Sequence, residues 1–316
     1  MTRVTVSSIV AAADLLRGVA EITPVLTNPM LDDESGARVL LKCENFQRTG
    51  AFKFRGAYHA VARLIDREQV KTFATISSGN HGQGLALACQ MHGVTAHVVM
   101  PEPFSAVKHR AVLDHGATVY IVEGRHCAEE RLQDVVERHG ARVVHPFNDP
   151  LVIAGQGTIM LEFLEQAKGL DAVLAPVGGG GLLSGLCVVA EACRPSVKIF
   201  ACEPAGALDA VLSVKENQVV PVIHPRTMAD GLRTSLGSET LPILRRCLTG
   251  FFIVHEEEII RAMRFAYDRL KMVIEPSSAV ALAPLLRKEP ELVGRRVGVV
   301  LTGGNVDPSI MSGDEA

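Results

Sequence analysis

The chain has 316 residues, of which 47% are hydrophobic and 21% are charged, and its formal net charge is −3. This composition is typical of a globular protein with one large or two medium domains, and it excludes a disordered chain. The weak negative charge and the lack of tryptophan argue against nucleic acid as a partner, and no apolar run is long enough to cross a membrane.

The first predicted element is a short helix near the N-terminus, which Ser7 or Ser8 caps and which runs through Leu16. A strand is predicted at residues 39–42, before Lys53. The segment after Lys53 is compatible with a helix.

From residue 72 to 146, short β-branched runs alternate with amphipathic stretches, as in a parallel sheet with helical connections. A second series follows it. Strands are predicted at 73–76, 97–100, 118–122 and 142–145, then at 172–177, 198–202, 251–255 and 297–302. Helices are predicted at 81–92, 105–114 and 127–138, then at about 151–167, 182–193, 256–271 and 276–288. We therefore expect an α/β fold with two open, mainly parallel sheets, in a large domain (residues 1–68 and 148–316) and an inserted small mobile domain (residues 69–147).

Lys53 stands between Phe52 and Phe54 in the segment AFKFRGA. An ammonium among aromatic rings is disfavoured, so its amine is more easily freed as a nucleophile. That is the condition for a Schiff base with a carbonyl cofactor. The local sequence is equally compatible with a helix lysine whose stem covers apolar surface.

Two predicted strand-to-helix junctions have the composition of anion sites. Consecutive glycines at 178–181 let several backbone N–H groups converge at a helix start, which suits a phosphate monoester. The simpler alternative is a flexible turn. The segment Ser77-Ser78-Gly79-Asn80-His81 combines hydroxyls with the first N–H groups of a helix, which suits a carboxylate. Here the alternative is plain helix capping by Ser77 or Ser78.

The seven cysteines are odd in number and scattered, without a CxxC pair. Together with the lack of a signal-peptide pattern at the N-terminus, this predicts a reducing, cytoplasmic location. The motifs HExxH, GxSxG, GxGxxG and the P-loop are also missing from the sequence, which removes several common enzyme classes.

In combination, these segments resemble the fold-type II pyridoxal-phosphate enzymes, whose architecture is like that of the tryptophan synthase β subunit. The resemblance is to the serine/threonine dehydratase and serine racemase group, and it spans residues 23–307. It rests on AFKFRGA, SSGNHGQG, residues 152–158, PVGGGGLLSG, residues 229–231, IEPSSAV and LTGGNVD, in this order.

The resemblance implies pyridoxal 5′-phosphate as cofactor and assigns roles to named residues. Lys53 would carry the cofactor and then act as general base, and Ser78 matches the second acid/base of serine racemases. The residues implied to bind the cofactor are Phe52, Lys53, Asn80, Gly178, Gly179, Gly180, Gly181, Leu182, Gly231, Glu275 and Thr302. Those implied to bind the substrate carboxylate are Ser77, Ser78, Gly79, Asn80 and His81. From the residues alone, Thr302 is better explained as a strand-ending turn and Glu275 as a first-turn carboxylate.

A divalent-cation site is implied by the same resemblance at Glu203, Asp209 and the Ala207 carbonyl oxygen. Mg²⁺ or Ca²⁺ is expected there, with Mn²⁺ as a further candidate, because carboxylate and carbonyl oxygens suit hard cations. On spacing alone, a solvated acidic turn is the better explanation.

The predicted activity is an ammonia-lyase (dehydratase) reaction that converts a β-hydroxy amino acid, such as L-serine, L-threonine or 3-hydroxyaspartate, to a 2-oxo acid and ammonia. The alternative is a serine or aspartate racemase with dehydratase side activity; a third possibility is a non-catalytic protein that binds a phosphate ligand.

A homodimer is expected from the family. Since the chain ends soon after LTGGNVD, no regulatory domain and no isoleucine feedback are expected. A second substrate carboxylate would need a cation, and the sequence does not place Arg125, His126 or Arg233 in the pocket.

Overall fold

The computed structural model describes residues 4–307 and residue 310. In this part of the chain the strands are β1 (Val25–Leu26), β2 (Arg38–Cys43), β3 (Thr72–Ile76), β4 (Thr95–Pro101), β5 (Thr118–Val122), β6 (Arg142–Val143), β7 (Ala172–Pro176), β8 (Lys198–Pro204), β9 (Gly250–Val254) and β10 (Arg296–Leu301).

The helices are α1 (Val6–Leu16), α2 (Pro29–Ser35), α3 (Lys53–Glu68), α4 (Asn80–His92), α5 (Ala106–Asp114), α6 (His126–His139), α7 (Pro150–Gln166), α8 (Gly181–Cys193), α9 (Asp209–Glu216), α10 (Thr240–Cys247), α11 (Glu256–Phe265), α12 (Pro276–Ala279) and α13 (Ala283–Leu286).

The strands form two sheets. A six-stranded sheet has the order β1-β2-β10-β7-β8-β9, and a four-stranded sheet has the order β5-β4-β3-β6. All pairings are parallel except that of β1 with β2. The predicted α/β fold with two mainly parallel sheets is therefore confirmed. The exact domain bounds stay a prediction.

Both faces of the six-stranded sheet are covered, because successive residues of a strand point to opposite sides. Leu174 of β7 belongs to one buried cluster, which includes residues of α11, α12 and α13. Its neighbours Val173 and Ala175 belong to another cluster, with residues of α1, α7 and α8. A strand buried on both faces explains why these segments are almost continuously apolar.

Glycines bring α3, α7 and α8 into close contact. A Cβ atom at Gly155 of α7 would lie 2.6 Å from the Cα atom of Gly56 in α3. A Cβ atom at Gly185 of α8 would lie 2.5 Å from the backbone nitrogen of Gly157 in α7. Real Cβ atoms do not come this close, so only glycine allows this spacing. The contacts hold the N-terminal ends of α3 and α8 in a fixed relation.

Four local predictions need correction. Thr5, rather than Ser7 or Ser8, caps α1; the Ser8 N–H donates to the Thr5 hydroxyl at 3.2 Å, and the Ser8 hydroxyl accepts from the Thr5 N–H at 3.0 Å. The helix predicted at 276–288 is broken into α12 and α13. The helix predicted at 256–271 ends at Phe265 and continues as a π-helical turn. Strand β6 covers only Arg142–Val143, short of the predicted 142–145.

Several elements were not predicted, among them β1, α2, α9 and α10. For α2 the signal was present: Asn28 accepts from the N–H groups of Met30 and Leu31, and Pro29 occupies the first helical position. Within the described residues, no helix is long and apolar enough to cross a membrane.

Candidate active site

Three of the motifs, SSGNHGQG, PVGGGGLLSG and LTGGNVD, lie at the carboxyl ends of parallel strands, where open α/β sheets bind their ligands. Strand β3 leads into Ser77 and α4. Strand β7 leads into the glycine loop (residues 178–181), whose last glycine begins α8. Strand β10 leads into Thr302, whose carbonyl oxygen accepts a 3.0 Å hydrogen bond from the Phe52 N–H. This bond places the end of β10 beside the start of α3.

Lys53 is the first residue of α3. Its Nζ atom donates to the Pro146 carbonyl oxygen at 2.9 Å and lies 5.3 Å from the centre of the Phe52 ring. Burial of the amine lowers the pKa of Lys53 to about 8, and the nearby Glu275 carboxylate only partly offsets this effect. The amine is therefore far easier to deprotonate than that of an ordinary lysine.

Behind Lys53, a buried ion network anchors the first turn of α3. The Arg55 guanidinium contacts both carboxylate oxygens of Glu44 at 2.8 and 2.9 Å and both of Glu162 at 2.6 and 2.8 Å. Lys42 also binds Glu162, at 2.7 Å. The side chains of Arg55 and Glu44 are at most 1% exposed. This network was not predicted, because its members lie far apart in the chain.

The glycine loop has a shape that side chains would destroy. Gly180 has φ +85°, which favours glycine, and a Cβ atom at Gly179 would overlap the Phe147 ring. At Gly178 a Cβ atom would lie 3.0 Å from the Gly231 carbonyl oxygen. The Thr240 hydroxyl donates to the Gly179 carbonyl oxygen at 2.8 Å, which fixes the loop. Backbone N–H groups at the start of α8 have no intrahelical partner, so the loop can hold a phosphate.

The serine loop (residues 77–79) connects β3 to α4, and its two hydroxyl groups have different surroundings. The Ser77 hydroxyl oxygen accepts from the N–H groups of Gly79 and Gly82 at 3.2 and 3.0 Å, so Ser77 caps α4. The buried His81 ring donates from Nε2 to the Val144 carbonyl oxygen at 3.2 Å. Burial, followed by the Lys53 charge, lowers the pKa of His81 to about 3, so the ring is neutral. Ser78, which is half-buried, carries the remaining hydroxyl of this loop.

Asn80 belongs to a chain of polar contacts. Its Nδ2 atom donates to Glu275 Oε1 at 2.7 Å, and its Oδ1 atom accepts from Asn305 Nδ2 at 2.9 Å. The other Glu275 oxygen lies 3.1 Å from Lys108 Nζ, which also binds Asp230 at 2.6 Å. Burial raises the pKa of Glu275, and the Lys108 charge opposes this. Neither Lys108 nor Asn305 was predicted to have a role in the site.

The remaining residues predicted to bind the cofactor adjoin this group. The Gly231 N–H donates to the Ser277 hydroxyl at 3.0 Å, beside Glu275 at the start of α12. The Glu275 N–H donates to the Gly303 carbonyl oxygen at 3.0 Å, next to Thr302. Leu182, which follows the glycine loop, is buried. The structure thus brings the segments of the predicted cofactor site together, although they are widely separated in sequence.

The sequence did not place Arg125, His126 or Arg233 in the pocket. In the structure, the Nε and Nη2 atoms of Arg233 donate to the Thr227 carbonyl oxygen at 2.9 and 2.5 Å. Arg125 and His126 are exposed at the start of α6. Partial desolvation lowers the pKa of Arg125, as does the charge of Arg233.

The predicted metal ligands lie at the end of β8 and the start of α9. Glu203 accepts from the N–H groups of Ala210 and Val211 at 2.6 and 3.0 Å. Asp209 Oδ2 is buried and has no hydrogen-bond partner among the described residues. Burial raises the pKa of Glu203 to about 8 and that of Asp209 to about 7. No cluster of three or more His, Cys, Asp or Glu side chains suited to a metal occurs in the part of the chain that the structure describes.

Comparison with known proteins agrees with this geometry. A family model described as pyridoxal-phosphate dependent enzyme matches residues 16–303. The serine racemase of Dictyostelium discoideum is 42% identical, over 99% of this chain and 98% of that protein. The L-threo-3-hydroxyaspartate ammonia-lyase of Saccharomyces cerevisiae is 40% identical, over 98% and 97% of the two chains. The solved structure of maize serine racemase matches with a TM-score of 0.94 and 35% identity, covering 98% of this chain and 96% of that one. Because the family model and the relatives match over most of its length, the chain belongs to the pyridoxal-phosphate-dependent enzymes of fold type II.

Proposed function

We propose that this protein is a pyridoxal-phosphate-dependent ammonia-lyase. It converts a β-hydroxy amino acid of the L-serine, L-threonine or 3-hydroxyaspartate type to a 2-oxo acid and ammonia. The observation that carries this proposal is the position of the Lys53 amine: it binds the Pro146 carbonyl oxygen, and the next residue, Phe147, packs on Gly179 of the glycine loop. A nucleophilic amine with a lowered pKa therefore lies next to a phosphate cradle.

The cofactor supplies a carbonyl that condenses with amines and an electron sink for the substrate Cα atom. Lys53 would form the covalent attachment. The N–H groups of Gly178–Gly181 and Leu182 would hold the phosphate, and the hydroxyl of Thr302 would face the ring nitrogen. Asn80 would donate to the ring hydroxyl, while Phe52, Gly231 and Glu275 would line the ring. These assignments are supported by the glycine loop itself, whose backbone bears no side chains and is packed against the Phe147 ring at Gly179.

Lys53 would also move the proton in the reaction. With a pKa of about 8, a useful fraction of its amine is unprotonated near neutral pH and can remove the Cα proton as general base. The substrate carboxylate would be held by the Ser78 hydroxyl and by N–H groups of Gly79, Asn80 and His81 at the start of α4. Ser77 would contribute by shaping this loop, since its hydroxyl oxygen already accepts two backbone hydrogen bonds.

The alternative is an amino-acid racemase for serine or aspartate with dehydratase side activity. Racemisation needs a second acid/base on the opposite face of the substrate. Ser78 supports this alternative, because its hydroxyl is not engaged in capping α4 as that of Ser77 is.

We further propose a divalent cation, Mg²⁺ or Ca²⁺ with Mn²⁺ as a further candidate, at Glu203, Asp209 and the Ala207 carbonyl oxygen. The unpartnered Asp209 oxygen and the two carboxylates whose pKa values burial raises support the proposal, because a bound cation would relieve both conditions.

The biological setting is also a proposal. The scattered cysteines support a cytoplasmic location, and the family resemblance supports a homodimer. The two sheets support a division into a large domain (1–68 and 148–316) and a mobile small domain (69–147).

The test is a panel of β-hydroxy amino acids offered to purified, cofactor-loaded protein, with 2-oxo acid release and Cα proton exchange measured separately. We expect keto acid formation to exceed interconversion of D and L forms, and Lys53→Ala to lose both colour and turnover. Interconversion faster than keto acid release would replace the lyase by the racemase. A colourless wild type, or an active Lys53→Ala variant, would refute both.

A further inference from the structure

Lys108 is a buried lysine that the proposed function does not use. It lies in α5, and only 4% of its side chain is exposed. Its ammonium contacts two carboxylates outside α5, Asp230 at 2.6 Å and Glu275 at 3.1 Å. Burying a charge is costly unless it is paired, so the geometry of these contacts decides whether the lysine is tolerated. The Lys108 side chain thus links α5, beside the four-stranded sheet, to the segment 275–279, which packs against one face of the six-stranded sheet.

Lys108 also lies directly above the serine loop. A Cβ atom at Gly79 would be 3.4 Å from Lys108 Cδ and 3.9 Å from Lys108 Nζ. These are ordinary van der Waals distances, so the lysine side chain packs directly against residue 79. The ammonium is therefore seated against the backbone that immediately precedes Asn80.

From Lys108 a chain of polar contacts runs to Asn80. One Glu275 oxygen lies in an ion-pair contact with the ammonium, and the other accepts a hydrogen bond from the Asn80 amide N–H at 2.7 Å. Asn80 Oδ1 accepts from Asn305 at 2.9 Å, and Asn305 also donates to the Thr49 carbonyl oxygen at 2.7 Å. A flip of the Asn80 amide would lose both of its bonds. Among the residues that the structure describes, Nδ2 donates to Glu275 alone, so its second hydrogen is available to a ligand.

The charge on Glu275 is set by its surroundings. The groups that face it are the Lys108 ammonium, the Asp230 carboxylate, the Asn80 amide and, more distantly, the Lys53 amine. Burial and Asp230 both favour the protonated acid, whereas Lys108 and Asn80 favour the carboxylate. Without Lys108, the balance shifts toward a neutral Glu275, which would hold the Asn80 amide more weakly.

We propose that Lys108 is a positioning residue, which holds Glu275 as a carboxylate and thereby fixes the Asn80 amide in the orientation that donates to the ring hydroxyl of the cofactor. This inference rests on the proposed function, because Asn80 has that role only if the cofactor binds beside Lys53. Lys108 itself does not take part in the proton transfers at the substrate. Its effect reaches the cofactor through two side chains, so it should alter the cofactor's spectrum as well as the rate.

The test compares holoenzymes of Lys108→Met and Lys108→Arg, with Arg110→Met as control. Arg110 lies on the same helix but is 79% exposed, and among the described residues it pairs with Asp114 alone. We expect Lys108→Met to take up cofactor, because Lys53 and the glycine loop are unchanged. Its visible absorbance should titrate at a pH shifted by about one unit, and kcat should fall about tenfold or more with a smaller change in KM. Lys108→Arg should restore much of both, and Arg110→Met should match the wild type.

Glu275→Gln keeps the proposal testable if Lys108→Met does not fold. The amide preserves the shape of the side chain but removes the charge that Lys108 holds. We expect it to reproduce the spectral shift, and we expect Lys108→Met to add little to it in the double variant. A folded Lys108→Met holoenzyme with wild-type spectrum, pH titration and kcat would overturn the inference, as would a drop in thermal stability without a spectral change. If the wild type itself is colourless or inactive, the proposed function fails instead.

Discussion

Replacing Arg55 by Met should expose how strongly the start of α3 depends on buried charge. The substitution removes all four contacts of the guanidinium with Glu44 and Glu162. Glu162 keeps Lys42 at 2.7 Å, whereas the direct side-chain partner that Glu44 keeps within the described part of the chain is the Thr23 hydroxyl at 2.5 Å. Removing one partner of a buried ion pair costs about 3–5 kcal/mol. We therefore expect the free energy of unfolding to fall by about that amount at pH 8.

The pH dependence tests the cause. In the wild type, burial would raise the pKa of Glu44, but Arg55, together with smaller contributions from Lys42 and Thr23, outweighs burial and the pKa is lowered. Glu44 thus stabilises the fold above its unfolded pKa of about 4.3, and this contribution is lost as the pH falls. In Arg55→Met the pKa of Glu44 should instead be raised. The loss in free energy of unfolding relative to wild type should therefore shrink as the pH is lowered from 8.

The assay is reversible urea unfolding of cofactor-free protein at pH 8 and pH 5.5. Arg63→Met is the control: Arg63 also lies on α3, but its side chain is 32% exposed and its contact with Asp66 is 3.7 Å long. We expect a change within about 0.5 kcal/mol for this variant. A loss below about 1 kcal/mol for Arg55→Met at pH 8, or a loss that does not shrink at pH 5.5, would refute the assigned role of the network.

Three further outcomes are expected. Gly179→Ala should abolish cofactor uptake, because the new Cβ atom overlaps the Phe147 ring, whereas Gly250→Ala, with its nearest contact at 3.6 Å, should bind normally by absorbance titration. Labelling of Lys53 in cofactor-free protein by an amine reagent should be half-maximal near pH 8, against about 10.4 for ordinary lysines; labelling that rises only above pH 10 would contradict its lowered pKa. Cation-free protein should lose stability as the pH rises from 4 to 8, because folded Glu203 and Asp209 retain protons that the unfolded chain releases. Ca²⁺ or Mg²⁺ should restore thermal stability most at pH 8, and equal melting temperatures with and without cation at that pH would count against the site.

Much of the fold was predictable, because it depends on local pattern. Apolar β-branched runs identified the long strands of both sheets, and glycines after a strand identified the loop before α8. Strand β6 was overestimated because only two of its residues pair with β3, and the next carbonyl oxygen, that of Val144, accepts from the side chains of Thr75 and His81.

The side-chain partners in the site were less accessible from the sequence. Lys108 is separated from Asp230 by 122 positions, and Arg55 from Glu162 by 107. No periodicity connects such pairs, and a lysine in a short helix is usually exposed. Ser77 illustrates the opposite case, because a cluster with the composition of a ligand site contains one residue whose hydroxyl oxygen serves the backbone. Composition predicts which groups are available, and only the fold determines which of them are already engaged.

The glycine contacts among α3, α7 and α8 have a consequence for how this enzyme can diversify. Gly56, Gly155, Gly157 and Gly185 set the separation of three helix axes, and two of those helices start at the reactive amine and at the phosphate cradle. The distance between these two groups is therefore independent of the loops that surround the substrate. Substrate preference can change through residues at the strand ends while the attachment geometry of the cofactor stays the same, whereas a single methyl group in the helix contacts would disturb every substrate alike.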